Sequence, residues 1–368
     1  MEKRAYPTNP AEITAEWLTA ALRNSGAIED ATVTSFDATV IGEGAGILGQ
    51  LSKVALTYDT PEEGAPKSVI GKFPAAAPEN REVAMFFRFY ETEVNFYEQI
   101  AEKVELRTPR CYFSAFEPSN GDYLLLLEDL APAQVGDQAA GCSGKHVQLA
   151  ISELAKFHAT WWNSPELDKL DWLPGYDAEW LIQAAEDGYA QAWEPFVEFT
   201  KSYLTPELAD VCKRFGKSIR KIMNTLAKDG PRTIAHGDFR LDNLFFASKQ
   251  GGAPFAVIDW QISGKAGGIF DIAYFVCGTL PVAERRAAEP DLVKLYHDTL
   301  VGRGVMDYSF DQCWEDYRLS TLFLLIPSVI PLGSLHLGND RGVQLFTTIS
   351  KRTLAAITDL KSADLLPG

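Results

Sequence analysis

An Asp, an Asn five residues later and a second Asp after a short excursion are the residues of this chain most able to do chemistry. Asp238 and Asn243 lie in Ile234-Ala235-His236-Gly237-Asp238-Phe239-Arg240-Leu241-Asp242-Asn243-Leu244, and Asp259 follows in Val257-Ile258-Asp259-Trp260. In phosphoryl transfer one carboxylate accepts the proton of a hydroxyl nucleophile, while an Asn and a second Asp hold magnesium on nucleotide phosphates. Such a reaction asks for little covalent work, so oxygen ligands on rigid strand ends can supply much of what it needs. Gly-Asp and Asp-Asn are also common turn formers, and Asp242 reads as no more than that. Asp238 is the candidate catalytic base, and Asn243 and Asp259 are the candidate metal ligands.

Two further segments fit this chemistry. Gly42-Glu43-Gly44-Ala45-Gly46-Ile47-Leu48-Gly49 contains G-x-G-x-x-G at Gly44, Gly46 and Gly49. A dinucleotide fold would need a helix after it. Here Leu51 to Tyr58 alternates as a strand does, so the loop is expected to be a hairpin that covers phosphates, with Gly44 and Gly46 approaching the nucleotide. No G-x-x-x-x-G-K-[ST] string occurs, which excludes a P-loop enzyme. Lys72 ends the strand-like Ser68-Val69-Ile70-Gly71-Lys72-Phe73 and is the candidate for the α- and β-phosphates. A lysine held inward needs a carboxylate partner. Glu93 is favoured because aromatic residues bracket it, with Glu82, Glu91 and Glu98 as alternatives.

The elements that must position these groups fall into two parts. Asn9 and Pro10 suggest a helix start, Ile13 to Leu22 recur at helical spacing, and Gly26 offers a stop. Val33–Ile41, Leu51–Tyr58 and Ser68–Phe73 read as strands, Asn80 to Val104 as one long helix, and 111–116 with 123–127 as a strand pair. After Leu130 the character changes. Residues 131–143 look loop-like, and helical patterns over 145–162, 178–192 and 206–228 dominate, with short strands near 244–246 and 255–258. The expectation is an α+β chain of two lobes: residues 1–128 as a nucleotide-binding lobe built on an antiparallel sheet, and 129–368 as a larger, mainly helical catalytic and substrate-binding lobe.

Bulk composition bounds the function. The 368 residues are 46% hydrophobic and carry 34 basic against 50 acidic side chains, a net charge of −16. That balance argues against nucleic acid or an anionic membrane as the main partner. Five scattered cysteines without C-x-x-C pairing fit a reducing compartment better than a disulfide framework. The longest apolar run, Leu322 to Leu332, is broken by Pro327 and Pro331 and is shorter than the roughly 20 residues that span a bilayer. A cytoplasmic protein is expected.

These elements in this order resemble the aminoglycoside phosphotransferase and choline kinase-like superfamily, small-molecule kinases with the protein-kinase fold. The string His236-Gly237-Asp238-x4-Asn243 with Ile258-Asp259-Trp260 carries the resemblance, which covers essentially the whole chain. Protein kinases place Arg where Gly237 stands and Gly where Gln261 stands, and they carry a longer segment than the one from Asp259 to Asp271. Leu154-Ala155-Lys156-Phe157-His158-Ala159-Thr160-Trp161-Trp162, Glu93 to Tyr97 and Gly268 to Tyr274 resemble the ecdysteroid kinase-like branch.

The resemblance implies ATP as donor, Mg²⁺ on Asn243 and Asp259, and Asp238 as base. It implies Lys72 on the α/β-phosphates, clamped by Glu93, and a hinge over Leu125–Leu130 whose backbone at Glu128 to Leu130 meets adenine. It further implies that Asp271 anchors the catalytic loop, that His236 braces it, and that His158 packs beneath it. The acceptor is a small-molecule alcohol. Tyr189, Trp193, Phe196, Tyr274 and Phe275 could cover a flat ring or a quaternary ammonium, or be core; steroid-like, choline-like and sugar-like alcohols all stay open. The competing reading is a catalytically idle nucleotide-binding or interaction module on the same fold.

Overall fold

The structure of the protein, a computed structural model, describes residues 6–41, 48–142, 144–334 and 340–367. It is α+β, and the chain divides into two compact units: Met1–Gln134 with Ala247–Gln261, and Val135–Phe246 with Ile262–Gly368. No helix among the described residues is long and apolar enough to cross a membrane.

The first unit is built on five antiparallel strands, β1 (Val33–Ile41), β2 (Gly49–Tyr58), β3 (Ser68–Pro74), β4 (Cys111–Glu117) and β5 (Asp122–Glu128), in the order β1-β2-β3-β5-β4. Successive side chains of a strand point to opposite faces. Val69 and Phe73 of β3 and Leu124 and Leu126 of β5 join Leu18, Ala21 and Leu22 of helix α1 (Ala15–Asn24) in one core cluster. The alternate residues Lys72 and Tyr123 are thereby sent to the other face. Both faces of β5 are covered, which is why it reads as an unbroken run of leucines. α1 starts later than the Asn9-Pro10 signal suggests. Asn9 caps only a 3-10 turn, Pro10–Glu12, and Thr14 accepts the Trp17 N–H at 3.1 Å to begin the helix.

The long helix expected from Asn80 to Val104 is two helices, α2 (Pro78–Phe86) and α3 (Phe89–Gln99). Arg88 between them adopts a left-handed φ of 60° and is held by a forked ion pair, Nε and Nη2 to the Glu91 carboxylate at 2.8 and 2.9 Å. A left-handed non-glycine residue costs roughly 1–2 kcal/mol. Burial of Tyr90, Val94, Phe96 and Tyr97 on α3 offsets that cost and fixes its direction. Neither Gly nor Pro marks the break.

The second unit is mainly helical: α4 (Gly144–Trp161), α5 (Glu179–Thr200), α6 (Pro206–Gly216), α7 (Ile219–Asn224), α8 (Ile269–Thr279), α9 (Val282–Gly302), α10 (Phe310–Phe323), α11 (Leu325–Val329), α12 (Pro331–Ser334) and α13 (Asp340–Asp359). α5 runs through Pro195, past the expected end at residue 192, and the pattern over 206–228 is two helices and a π turn. α8 is buried at every residue except Tyr274, as its apolar composition on all faces requires. The short strands of the remainder include β6 (Thr233–Ala235), β7 (Leu244–Ser248), β8 (Gly251–Val257) and β9 (Gly264–Ala266). β6 pairs antiparallel with β9, which sets the backbone immediately before His236.

Candidate active site

In the first unit, β3 presents Lys72 to α3. Its Nζ lies 2.8 and 2.7 Å from the two oxygens of Glu93 and 2.7 Å from Asp259 Oδ1. Glu93 is 1% exposed and also accepts the Tyr123 hydroxyl at 2.7 Å, so both its oxygens are engaged. The other glutamates are elsewhere: Glu82 and Glu98 are exposed, and Glu91 is paired with Arg88. Burial pushes the Glu93 carboxyl up against the pull of Lys72. Burial alone would lower the Lys72 amine, but the charges of Asp259 and Glu93 outweigh it and hold the amine above its ordinary range. The cluster is a buried ammonium between two carboxylates.

Aromatic contacts fix the two ends of this cluster. Trp260, next to Asp259, stacks on Phe96 of α3 with centroids 3.9 Å apart and planes 7° off parallel. Tyr90 stacks on Tyr123 at 4.6 Å, and its hydroxyl donates to Leu48 C=O and accepts from Ala75 N–H. One tyrosine of α3 thus ties the residue before β2 to the end of β3. Asp259 itself has a left-handed φ of 66°, a strained conformation for a non-glycine residue that costs about 1–3 kcal/mol. Such outliers persist where the surroundings over-determine them, here the Lys72 ion pair and the Trp260 stack.

In the second unit the loop after β6 is suspended from α8. Asp271 is fully buried and its carboxylate accepts the N–H of His236 at 2.6 Å and of Gly237 at 2.9 Å. His158 of α4 closes on the same carboxylate through Nε2 at 3.3 Å and meets the Tyr296 hydroxyl through Nδ1 at 3.1 Å. The two ring nitrogens thereby link α4 to Asp271 of α8 and Tyr296 of α9. His236 Nδ1 accepts the Asp238 N–H at 3.2 Å.

Asp238 is held on both oxygens. Tyr274 Oη donates to Oδ1 at 2.8 Å; Arg240 Nε and Asn243 Nδ2 donate to Oδ2, each at 3.0 Å. Asn243 Nδ2 also reaches the Asp238 carbonyl at 2.9 Å, which leaves the Asn243 carboxamide oxygen as its uncommitted ligand atom. The charge of Asp238 and the neighbouring Tyr274 and Asp242 raise the Arg240 guanidinium against its burial, while burial and Asp238 push the Tyr274 phenol well up. Tyr274 therefore stays a hydrogen-bond donor at any physiological pH.

Three members of this arrangement are invisible in the motif. Arg240 is one of the four residues between Asp238 and Asn243 that the string leaves unspecified. Asp242, which reads as a turn former, accepts Arg240 Nη1 at 2.6 Å and Gln138 N–H at 3.1 Å. Gln138, in the stretch that reads as loop, accepts the Leu241 N–H at 2.8 Å on Oε1. Gln138 is about a hundred residues from the loop it braces, so no local pattern could have found it.

Gly237 explains why this loop carries Gly before its Asp. Its φ is 85°, and a Cβ there would run into the Tyr176 hydroxyl and come to 2.5 Å from the Ile262 carbonyl oxygen. Gly237→Ala is expected to cost at least about 2 kcal/mol from backbone strain and the clash together. Urea denaturation checks it; an unchanged midpoint would contradict the loop geometry.

A sequence profile of the ecdysteroid kinase-like family matches residues 43–303. The chain belongs to the ecdysteroid kinase-like family. Against curated proteins the sequence finds no match at a significant level. Solved structures with the same fold include a choline kinase from Cryptosporidium parvum Iowa II, 13% identical with a TM-score of 0.55 over 96% of this chain and 98% of that one. A protein described as an aminoglycoside phosphotransferase from Ralstonia eutropha JMP134 is 15% identical, with a TM-score of 0.53 over 95% and 98%. The GDP complex of an aminoglycoside 2′-phosphotransferase variant is 14% identical, with a TM-score of 0.50 over 96% and 98%. These likenesses establish a protein-kinase-like fold, and the family places the chain among kinase-like phosphotransferases of the small-molecule kind.

The remaining sequence-derived positions divide as follows. Gly44 and Gly46 lie outside the described residues. Glu128 ends β5; its carboxylate forks onto Arg107 Nη2 at 2.6 and 2.5 Å, and its N–H donates to Arg110 C=O at 2.9 Å. The Leu130 carbonyl accepts the Ala133 N–H at 3.0 Å. Of the five aromatics, Tyr189, Phe196 and Phe275 are core, whereas Trp193 and Tyr274 are half-buried. No cluster of three or more His, Cys, Asp or Glu suited to a metal occurs among the described residues. A carboxylate and a carboxamide oxygen are nevertheless the hard donors that Mg²⁺ takes when phosphates complete its shell.

Proposed function

We propose that the protein transfers the γ-phosphoryl group of ATP, with Mg²⁺, to a hydroxyl of a small molecule. The observation that carries this reading is the buried Lys72 held at once by Glu93 and Asp259. An idle copy of the fold has no need to keep a strained Asp259 and a desolvated triad. Residues 1–128 serve nucleotide binding and 129–368 serve catalysis and the acceptor, with Asp259 packing alongside the first set.

Lys72 takes the α- and β-phosphates and Glu93 keeps its ammonium aimed. Asn243 and Asp259 are the ligands for Mg²⁺, which when bound neutralises charge on the β- and γ-phosphates. The backbone N–H and C=O groups near Glu128 to Leu130 would meet the adenine edge, as the resemblance to the kinase fold implies. GDP in the aminoglycoside 2′-phosphotransferase complex supports a purine nucleotide here. Asp238 orients the acceptor hydroxyl and takes its proton as the alcohol oxygen bonds to the γ-phosphorus. The bond from that phosphorus to the β-bridging oxygen breaks, and ADP leaves. Five unpaired cysteines support a cytoplasmic setting.

The test is thermal unfolding with ATP and Mg²⁺ together and singly. A ligand at a hundred times its dissociation constant stabilises by about 2.7 kcal/mol, so a rise of several degrees that needs both components is expected. No rise with either or both would overturn the reading.

A further inference from the structure

The two supports of the Asp238 carboxylate meet again at one buried cation. Arg352 of α13 is 9% exposed. Its Nη1 donates to Gly278 C=O at 2.5 Å and, in a longer and weaker bond, to Gln138 C=O at 3.4 Å. Among the described residues it forms no ion pair with a carboxylate and meets only these two carbonyls. Burial holds the guanidinium below its ordinary range against the pull of the Glu284 charge. A desolvated charge without a partner is costly, so this one calls for a use.

Each of the two carbonyls begins a path to the base. Gly278 lies in the last turn of α8, whose carbonyls have no helical N–H to accept. One turn earlier on that helix, Tyr274 donates to Asp238 Oδ1 at 2.8 Å. Gln138 leads to the other oxygen. Its Oε1 accepts the Leu241 N–H at 2.8 Å, and its own N–H donates to Asp242 Oδ1 at 3.1 Å. Asp242 Oδ2 then accepts Arg240 Nη1 at 2.6 Å, and Arg240 Nε reaches Asp238 Oδ2 at 3.0 Å. One guanidinium therefore ties together the two segments that hold the base by its two oxygens.

The same two segments are in close contact. A Cβ on Gly278 would stand 2.9 Å from Gln138 Nε2, so the Gln138 carboxamide packs directly on the end of α8. A Cβ on Gly141 would come to 3.1 Å from the Thr279 carbonyl oxygen. Asp137 shapes the turn between Gln138 and Gly141, its Oδ1 accepting the Ala139 and Ala140 N–H at 2.9 and 3.0 Å. Packing sets how closely turn and helix approach. The directional bonds of Arg352 set their register.

Resting on the kinase reading above, we infer that Arg352 is a positioning residue for phosphoryl transfer: it locks the Gln138 turn to the end of α8 and so holds Asp238 in its reacting orientation without touching it. Misplacing a reacting group by about 1 Å can cost about 10²-fold in rate, which gives a remote clamp its value. A cation near a helix C-terminus also serves as a cap. Capping alone would affect the stability of α8 and leave the loop after β6 as it is.

The experiment compares the full-length wild type with Arg352→Met, Arg352→Lys, Gln138→Met and the double variant Arg352→Met/Gln138→Met. Hydrogen exchange over residues 238–243, read by mass spectrometry, needs no acceptor. Arg352→Met is expected to speed it at least about tenfold, while exchange in α1 stays unchanged. ADP release from ATP with Mg²⁺ is measured with choline, glucose and glycerol, and with water as acceptor where none of these stimulates. In Arg352→Met kcat should fall about 10–100-fold, with the KM for ATP within about twofold of wild type. Arg352→Lys, which keeps a cation able to meet one carbonyl, should lie between. Because Arg352 acts through Gln138, the two losses should not multiply in the double variant. Wild-type exchange over 238–243 in a folded Arg352→Met, a wild-type kcat, or losses that multiply would each overturn the inference and leave Arg352 a cap on α8. Should Arg352→Met fail to fold, Arg352→Lys carries the same comparisons. Absence of the joint ATP and Mg²⁺ thermal shift in the wild type would instead overturn the kinase reading, and the exchange comparison would still decide whether Arg352 holds the loop.

Discussion

Asp238→Asn is expected to slow phosphoryl transfer by about 10²–10⁴-fold, the usual loss when a positioned base is removed, while ATP with Mg²⁺ still stabilises the protein. The substitution suits this site because of how the carboxylate is held. Oδ2 accepts from both Arg240 Nε and Asn243 Nδ2, so the amide oxygen of the variant belongs there. The amide nitrogen then faces Tyr274, whose hydroxyl can turn to accept instead of donate. Arg240 keeps its second partner, Asp242 Oδ2, at 2.6 Å. The loop therefore survives while the group that takes the proton is gone. Asp238→Ala is a harsher probe, since it leaves the Arg240 and Asn243 donors facing a void. Rates of ADP release and the nucleotide-induced shift in melting temperature, measured together, decide the matter. A folded Asp238→Asn enzyme with more than a tenth of the wild-type rate would remove Asp238 from the role of base.

The three strands that begin the first unit, Lys72, and the strings around Asp238 and Asp259 were legible because each rests on local rules. Alternation marks strands, and a polar string between apolar strand ends marks a loop. What was not legible depends on tertiary packing. The break at Arg88 carries no Gly or Pro; a forked ion pair and the burial of α3 outweigh the backbone preference there. Glu93 is favoured in the sequence by the aromatic residues that bracket it, and the direction α3 takes after the break is what brings it to Lys72 rather than Glu91 or Glu98. Pro195 does not end α5, since the packing of Tyr189, Ala192 and Phe196 holds the helix through it. Tyr274 was visible as an aromatic, but only the rotation of α8 shows that its hydroxyl serves the base. Gln138 and Asp242 act on each other across a sequence distance that no periodicity spans. Asp271 sits at the other extreme: a carboxylate inside an apolar helix has few uses except to bind buried N–H groups, and it binds two.

Replacing Lys72 by Met should destabilise the protein by about 3–5 kcal/mol near neutral pH, the usual consequence of stripping one partner from a buried ion pair. Asp259, with its side chain 24% exposed, can recruit water; Glu93, at 1%, cannot. The sign of the pH dependence follows. Burial already raises the Glu93 carboxyl, and Lys72 is the main influence lowering it. Without Lys72 the folded-state value moves further above the unfolded value, about 4.3. Between those two values the native state binds more protons than the unfolded one, so stability falls as pH rises. The deficit of Lys72→Met relative to wild type should therefore be largest at pH 8 and shrink as pH falls toward about 4.3. Glu93→Gln added to Lys72→Met removes the stranded charge but keeps an acceptor for the Tyr123 hydroxyl. The double variant should be more stable than Lys72→Met alone, with a coupling in the range of about 0.5–3 kcal/mol typical of contacting residues. Urea titrations of the wild type and three variants at pH 5 and pH 8 give every quantity needed. A pH-independent deficit, or a double variant no more stable than Lys72→Met, would show that Lys72 does not neutralise Glu93, and the nucleotide-binding role proposed for the pair would fall with it.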